Sequence, residues 1–248
     1  MKKSELDETL LWQDDHILVV NKPAGLLSIP DGYDPDLPHL RATFEPIFGR
    51  LWMVHRLDRD TSGVILLARN EQAHREICLK FEQQQVTKIY HALVVGSPDW
   101  DKRTAEHPLR TNGDRQHRTV IDYQRGKYAN TQFSVLERFG RITLIAAKPG
   151  TGRTHQIRVH LKAVGIPVVA DGLYGEADPL LLSAIKVGYR MSKHRTERPL
   201  LDRLGLHARS LMIEHPISRK EMCFEAPYAK DIAVTIRQLR RYSKPSRG

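Results

Sequence analysis

Short apolar runs broken by turn-forming residues mark the first part of the chain. Residues 16–20 (HILVV) predict a buried strand that ends in the proline- and glycine-containing segment 21–25, because these residues interrupt strands. Residues 64–68 (VILLA) predict a second buried strand. Alternating side chains over residues 88–95 predict a third, with Tyr90 near its start. Residues 31–38, which contain a glycine and two prolines, predict a loop.

Helical spacing of apolar residues recurs at two places. Asn70 is suited to cap a helix over residues 71–85, where Ala73, Ile77 and Phe81 share one face. Thr154 is suited to cap a second helix, with Ile157, Leu161 and Val164 facing inward and Gly165 at its end. Both segments therefore predict amphipathic helices that pack one face against a core.

The remaining patterns predict hairpins and charged surface. Residues 131–137 and 142–147 predict two strands joined by a turn around Gly140. Residues 97–130 are rich in charges and turn formers, which is typical of a solvated face. Residues 235–248 contain no acid and predict a terminal helix with a frayed end. Hairpins outnumber β-α-β units, which favours a mixed topology.

A basic excursion over residues 183–204 leaves two interpretations open. This segment is either an insertion that binds RNA or a solvated pair of helices. Its charges are Lys186, Arg190, Lys193, Arg195, Arg198 and Arg203 against Glu197 and Asp202.

Composition narrows the function. The 248 residues are 40% hydrophobic and 27% charged, and 39 Lys and Arg against 29 acids give a net charge of +10, with a pI near 9.7. A polyanion is the natural partner of such a surface, although an acidic membrane or simple solubility would also fit. Cys78 and Cys223 form no CxxC motif, which argues against a disulfide framework or a structural zinc site and favours a reduced, cytoplasmic location. No apolar run reaches the about 18 residues of a membrane span, and the N-terminus has no signal-peptide core.

Residues 55–63 (HRLDRDTSG) are the strongest candidate for chemistry. Three cations and two carboxylates precede a buried strand, and buried charge is costly unless it is paired. An exposed polar turn would explain the same charges. The full pattern, however, resembles the signature of the RluA-type pseudouridine synthases, His-Arg-Leu-Asp, two variable residues and Thr-Ser-Gly. That resemblance implies that Asp58 is the catalytic aspartate, whereas Asp60 falls on a variable position.

Further blocks resemble the same family in the expected order. They are VVNKPAGLLSIP (residues 19–30), the Lys-x-Tyr pattern that ends at Tyr90, GKYANT (126–131), TGRTHQIRVH (151–160), DGLYG (171–175) and LHAR (206–209). The resemblance implies that Tyr90 is an active-site tyrosine and that Arg158 pairs with Asp58, with Arg153 as the second candidate. The block at 151–160 lacks the glycine spacing of a P-loop and the His-Glu-x-x-His of a zinc helix, although a helix start flanked by arginines suits an anion.

The resemblance covers about residues 15–228 and implies an α+β fold, with a large, mostly antiparallel sheet in two lobes and an active-site cleft between them. Residues 1–248 are expected to form a single catalytic domain without a separate N-terminal RNA-binding domain. The implied function is isomerisation of uridine in rRNA or tRNA, without cofactor or metal, by a cytoplasmic monomer that does not bind membranes. Besides the catalytic Asp58, Tyr90 and Arg158, RNA contacts are expected from Arg56, Arg59, Arg153, Lys22 and His55.

Two other functions share part of this pattern. A non-catalytic RNA-binding protein would have the charge without needing the Asp58, Tyr90 and Arg158 set. A glycosidase with two carboxylates would use Asp58 and Asp60, but residues two apart point the same way only on a regular strand, and the positive charge suits a polyanion better than a neutral sugar.

Overall fold

The computed structural model describes residues 8–190 and 196–243. The chain divides into two compact units, and each is built from two segments of sequence. Unit 1 comprises the residues up to Tyr90 together with His207–Tyr228. Unit 2 comprises His91–Leu206 together with the residues from Ala229 onward.

The described residues contain strands and helices in an α+β arrangement, which confirms the predicted class. In chain order they are β1 (Leu10–Gln13), β2 (Ile17–Lys22), α1 (Leu40–Phe48), β3 (Trp52–Met53), β4 (Ser62–Ala68), α2 (Glu71–Glu82), β5 (Thr87–Val95), β6 (Lys102–Glu106), β7 (Leu109–Arg110), β8 (Val120–Ile121), β9 (Asn130–Phe139), β10 (Ile142–Pro149), α3 (Gln156–Ala163), β11 (Leu206–Glu214), β12 (Glu221–Glu225) and α4 (Lys230–Tyr242). No helix among the described residues is both long and apolar enough to cross a membrane.

Unit 1 is organised around β4. This strand pairs antiparallel with β2 along one edge, while β3 and β11 pair with its other edge, and β11 is the parallel neighbour. All seven residues of β4 are buried, as expected for a strand covered on both faces. The predicted strand at residues 16–20 is confirmed, but it continues to Lys22, which pairs with Gly63 of β4.

The helices of unit 1 include one predicted element and one that the sequence analysis missed. α2 begins after Asn70, whose side-chain oxygen accepts from the Ala73 amide at 2.9 Å, so the predicted cap is confirmed. It ends at Glu82 rather than residue 85, because the backbone turns to a φ of 59° at Gln84. α1 was not predicted; it contains Pro46, and its cap is His39.

Unit 2 contains the predicted hairpin. β9 and β10 pair antiparallel, and Gly140 turns between them with a φ of 73°, a conformation that suits glycine. β6 pairs with the other edge of β9. The segment 97–130, predicted as a solvated face, therefore also supplies the short strands β6, β7 and β8.

The two ends of α3 differ in how well the sequence predicted them. Its predicted cap, Thr154, is wrong: the cap position is His155, in the left-handed region with a φ of 55° and without a capping side-chain hydrogen bond. The predicted end is confirmed. Gly165 has a φ of 84° and donates to the Lys162 carbonyl at 3.0 Å, and Ile166 donates to the Leu161 carbonyl at 3.0 Å, which forms a Schellman motif.

The described part of the basic excursion contradicts the interpretation as a pair of helices, while RNA binding by this segment stays a prediction. The described residues between 180 and 204 form turns and a bridge between Leu180 and Leu201, without the helix pair. Lys193 and Arg195 lie outside the described residues, as do Lys244 and Arg247 of the predicted terminal helix. That helix, α4, begins at Lys230, five residues earlier than predicted.

Candidate active site

The loop that carries Asp58 is held by hydrogen bonds on several sides. The Thr61 amide donates to the Asp58 carbonyl at 3.1 Å, which closes a turn around the two intervening residues. Ser28 fixes the preceding residue, because its hydroxyl accepts from the Leu57 amide at 3.0 Å and donates to the Leu57 carbonyl at 2.7 Å. Leu57 itself is buried in the core of unit 1. The backbone around the half-buried Asp58 is therefore positioned before any substrate arrives.

Lys22 is a structural part of this loop, which corrects its expected role as an RNA contact. Its side chain is fully buried, and its ammonium donates to the carbonyls of Pro23, Leu26 and Arg59 at 3.0, 2.8 and 3.0 Å. The Gly25 amide donates to the same Arg59 carbonyl at 2.9 Å. An ammonium buried in this way cannot meet a phosphate in solvent. It ties the loop after β2 to the residue that follows Asp58.

His55 also has a structural role, and its contacts argue against a positively charged contact to RNA. Its Nε2 accepts from the Leu66 amide of β4 at 3.0 Å, and its ring stacks on Phe81 with centroids 4.8 Å apart. Burial, with the nearby charge of Lys88 as a second cause, lowers the pKa of His55 to about 3. The imidazole is therefore neutral at physiological pH, and it replaces a strand carbonyl as the partner of a buried amide.

The Thr-Ser-Gly end of the motif is fixed by β11. The Ser62 hydroxyl lies 2.9 Å from Nδ1 of His207, a fully buried side chain whose Nε2 lies 3.3 Å from the Ala226 carbonyl. Since a carbonyl only accepts, Nε2 carries the proton and Nδ1 accepts from Ser62. Gly63 lies against Ala208: a Cβ at this position would be 2.2 Å from the Ala208 carbonyl oxygen. Only glycine fits here.

Tyr90 lies in unit 1 together with Asp58. It is half-buried and packs against the apolar core of that unit. Burial raises the pKa of its phenol above the ordinary value of about 10, and the negative charge of Asp58 raises it further. The phenol therefore remains protonated at neutral pH, so it is a poor general base and is suited to contact a base ring or to donate a hydrogen bond.

Arg158 lies on α3 in unit 2, where its guanidinium is held from two sides. Its Nε and Nη2 donate to the two carboxylate oxygens of Asp171 at 2.8 and 2.6 Å, a bidentate geometry, and the group lies 5.0 Å from the centroid of the Tyr174 ring. Burial acts to raise the pKa of Asp171, but the Arg158 contacts and two backbone amides outweigh it and hold that pKa below 3.8. The pairing of Arg158 with Asp58 stays a prediction.

Tyr174 connects Arg158 to the start of α3. Its hydroxyl lies 2.9 Å from Nδ1 of His155, the residue in the left-handed conformation, and accepts from the Thr119 amide at 2.9 Å. A non-glycine residue in this region stores about 1–3 kcal/mol of strain, and such strain is usual at functional sites. The contact therefore holds the helix turn that presents Arg158.

The other expected RNA contacts are exposed. Arg56, Arg59 and Arg153 all lie on the surface, as does Asp60. Arg59 makes a long hydrogen bond to the Gly25 carbonyl at 3.3 Å, and Nε of Arg153 donates to the Tyr128 carbonyl at 3.2 Å. A phosphate in solvent can therefore reach each of these three side chains.

Four residues that hold the site were not identified from the sequence: Ser28, Asp171, Tyr174 and His207. All four lie in sequence blocks that had been noted without assigning these residues a role. The sequence gives no sign of these contacts because the partners are far apart: His207 contacts Ser62 across 145 positions of sequence, and Ser28 contacts Leu57 across 29.

Comparison with known proteins gives the same family as the motif. The family model for RNA pseudouridylate synthases matches residues 16–163. The ribosomal large subunit pseudouridine synthase C of Vibrio cholerae is 34% identical over 242 residues, 97% of this chain and 72% of that protein. The dual-specificity RNA pseudouridine synthase RluA of Escherichia coli is 35% identical over 219 residues, 88% of this chain and 92% of that protein.

Solved structures agree with the sequence comparison. Human RNA pseudouridylate synthase domain containing 4 superposes with a TM-score of 0.74 at 26% identity, covering 96% of this chain and 95% of that chain. Human RNA pseudouridylate synthase domain containing 1 has a TM-score of 0.69 at 29% identity and covers 96% of each. The chain therefore belongs to the RNA pseudouridylate synthase family and is an isomerase that acts on RNA.

Proposed function

We propose that Asp58 is the catalytic carboxylate with which this isomerase converts specific uridines of rRNA or tRNA into pseudouridine. Support for the rRNA part comes from the large-subunit synthase that the chain resembles. The observation that carries the assignment to Asp58 is the anchoring of its loop. Lys22, Ser28 and Ser62 each fix a neighbouring part of the motif, while Asp58 is the carboxylate at its centre.

The reaction needs a carboxylate more than any other group. Pseudouridine formation breaks the bond between the sugar carbon and the base nitrogen, turns the base, and joins a ring carbon to the same sugar carbon. A proton leaves that ring carbon and a proton is gained at the freed nitrogen, so atoms and electrons balance without a redox partner. An ionised Asp58 either attacks as a nucleophile or, as an anion, promotes cleavage of the glycosidic bond. The proposal requires no metal and no cofactor.

Tyr90 and Arg158 support this carboxylate in different ways. With its raised pKa, Tyr90 keeps its proton and contacts the base. Arg158 is proposed to pair with Asp58 and to keep it ionised and aimed, and its contacts with Asp171 hold the guanidinium for that purpose. Arg56, Arg59 and Arg153 bind phosphates around the target. A uridine within a duplex must first leave the stack, at a cost of a few kcal/mol.

The two carboxylates of the motif provide the test. Asp58→Asn keeps the size of the side chain but removes its charge and its nucleophile, so this variant should fold and bind RNA while forming no detectable pseudouridine. Asp60→Asn is the matched control, because it makes the same chemical change two residues away on an exposed side chain. Surface charges contribute about 0–1 kcal/mol, so this variant should keep most of its rate.

Pseudouridine formation by both variants should be measured on large-subunit rRNA and on bulk tRNA from cells that lack the gene. Pseudouridine formation by Asp58→Asn together with loss of activity in Asp60→Asn would overturn the assignment. Wild-type protein that binds both RNAs and modifies neither would favour the alternative, a non-catalytic RNA-binding protein. Mapping pseudouridines in RNA from cells with and without the gene identifies the target.

The organisation of the protein is part of the proposal. We propose that residues 1–248 act as one catalytic domain that recognises its RNA directly, as a cytoplasmic monomer. Sedimentation of the purified protein with and without RNA measures the oligomeric state. Fractionation of cells that express the tagged chain measures its location.

A further inference from the structure

The helix α4 has one apolar face and one strongly basic face. Ile232, Ile236 and Leu239 are buried. The opposite face exposes Lys230, Arg237, Arg240 and Arg241. At 1.5 Å per residue, the eleven steps from the first to the last of these cations span about 16 Å.

Among the described residues, carboxylates pair with only one of these four cations. Both oxygens of Asp231 are taken by Arg203, at 2.6 and 2.8 Å, and Glu137 pairs with Arg240 at 3.0 Å. Within the part of the chain that the structure describes, no carboxylate forms an ion pair with the other three cations. We call these three, Lys230, Arg237 and Arg241, the α4 basic stripe.

The stability of the helix does not account for the stripe. Cations in the last turn interact well with the helix dipole, which would explain Arg241. Lys230, however, occupies the first turn, where a positive charge is unfavourable. Arg237 and Arg241 are four residues apart, so their like charges repel along one face. The arrangement weakens the helix slightly, which points to a ligand that compensates for the charges.

The basic excursion extends this surface and is held to the helix. The Thr235 hydroxyl donates to the Leu200 carbonyl at 3.0 Å, and the Lys186 ammonium lies 5.0 Å from the centroid of the Tyr242 ring. Lys186 therefore adds a cation beside the C-terminal end of α4, and the exposed Arg190 follows four residues later.

We propose that the α4 basic stripe is a second RNA-binding surface, which binds phosphates of the substrate in addition to those bound by the arginines of the candidate active site. The inference rests on the proposed function, because RNA is the polyanion that this enzyme must bind. An anionic membrane does not fit the same helix, since an amphipathic helix binds a membrane by inserting its apolar face and that of α4 is already buried. Contacts to phosphates from flexible cations carry no sequence preference, so the stripe adds affinity rather than target choice.

Salt dependence of RNA binding tests this surface. Each phosphate contact contributes about 0.7 to 0.9 to the slope of log affinity against log salt. Substituting the three stripe residues, Lys230→Gln, Arg237→Gln and Arg241→Gln, should therefore reduce that slope by about 2 to 3. When salt is raised fourfold, the wild-type protein should lose about 20- to 40-fold more affinity than the variant. A hairpin RNA with uridines in its loop serves as the probe.

A variant with the same loss of charge provides the control. Lys102→Gln, Arg103→Gln and Lys220→Gln remove three exposed cations elsewhere, and this protein should keep the wild-type slope. If the two variants have equally reduced salt slopes, the effect is one of net charge in general. If the stripe variant keeps the wild-type slope, the stripe makes no phosphate contact. Either result overturns the inference. Because all six residues are exposed, circular dichroism should show wild-type folding in both. Pseudouridine formation by the wild-type protein on the same RNA is measured separately, so a failure of the proposed activity is distinguished from a failure of the stripe.

Discussion

Replacing Gly63 with alanine should destabilise the protein by about 2 to 6 kcal/mol and remove most of its activity. The residue has a φ of 116°, which L side chains rarely adopt. An added Cβ would also lie 2.2, 2.6 and 2.7 Å from the carbonyl oxygen, the amide nitrogen and the carbonyl carbon of Ala208. These are backbone atoms of the paired strand, so relief requires the two strands to separate.

A second glycine divides this cost into its two parts. Gly96 has a φ of 118°, almost the same, but its added Cβ would meet only a side-chain carbon of Ile166, at 3.1 Å. Backbone strain in such a conformation costs about 1–3 kcal/mol at either site. Overpacking typically costs another 1–3 kcal/mol, and we expect it mainly at Gly63. Gly63→Ala should therefore exceed Gly96→Ala by about 1 to 3 kcal/mol.

Urea unfolding of both variants measures the difference. Circular dichroism follows the unfolding, because it reports on unit 1, which contains Gly63, and on unit 2, which contains Gly96; the slope with urea concentration should not change. Pseudouridine formation should fall further in Gly63→Ala, since separation of the strands displaces the turn that carries Asp58. Equal destabilisation by the two substitutions would refute the argument, because it would mean that the approach of Ala208 imposes no cost.

Three further substitutions test other contacts of the site. His55 has a pKa of about 3 in the folded protein and 6.5 as a free group, so it takes up a proton on unfolding and its contribution to stability is lost as the pH falls below 6.5. Between pH 7 and pH 5, His55→Gln should therefore lose about 2 kcal/mol less stability than the wild type. Urea unfolding at both pH values measures the difference. Lys22→Met removes the buried ammonium that donates to the Pro23, Leu26 and Arg59 carbonyls and should cost about 3–5 kcal/mol, whereas a midpoint close to that of the wild type would show that water replaces the ammonium. Asp171→Asn removes the carboxylate that holds the Arg158 guanidinium in place, so kcat should fall while the affinity for RNA changes little. A change confined to affinity would contradict a positioning role.

Elements determined by local chemistry could be predicted from the sequence. The cap at Asn70, the turn at Gly140 and the helix end at Gly165 each depend on one residue type and its immediate neighbours. The buried strand β4 was evident because its apolar residues are consecutive. By contrast, α1 was missed because it contains Pro46 and is capped by a histidine rather than by a typical capping residue.

The chemical roles of charged residues were harder to predict, because they depend on distant partners. Lys22 follows an apolar strand and precedes a proline, so its sequence context resembles that of an exposed turn. Its actual role follows from the Arg59 carbonyl, 37 positions away. His55 was grouped with the cations for the same reason, although burial keeps it neutral. The partner of Arg158 was also not predicted, because the motif pointed to Asp58 rather than to Asp171.

The division of each unit into two segments has a consequence for synthesis on the ribosome. Ser62 and Gly63 of β4 pair with His207 and Ala208, about 140 residues later. Translation proceeds at about 5–20 residues per second, so this edge of β4 stays unpaired for roughly 7 to 30 seconds until β11 has been synthesised. An apolar strand with an open edge is a site for aggregation. Slow translation between β4 and β11 should therefore lower the yield of folded protein, and bound chaperones should be most abundant on nascent chains that end before β11.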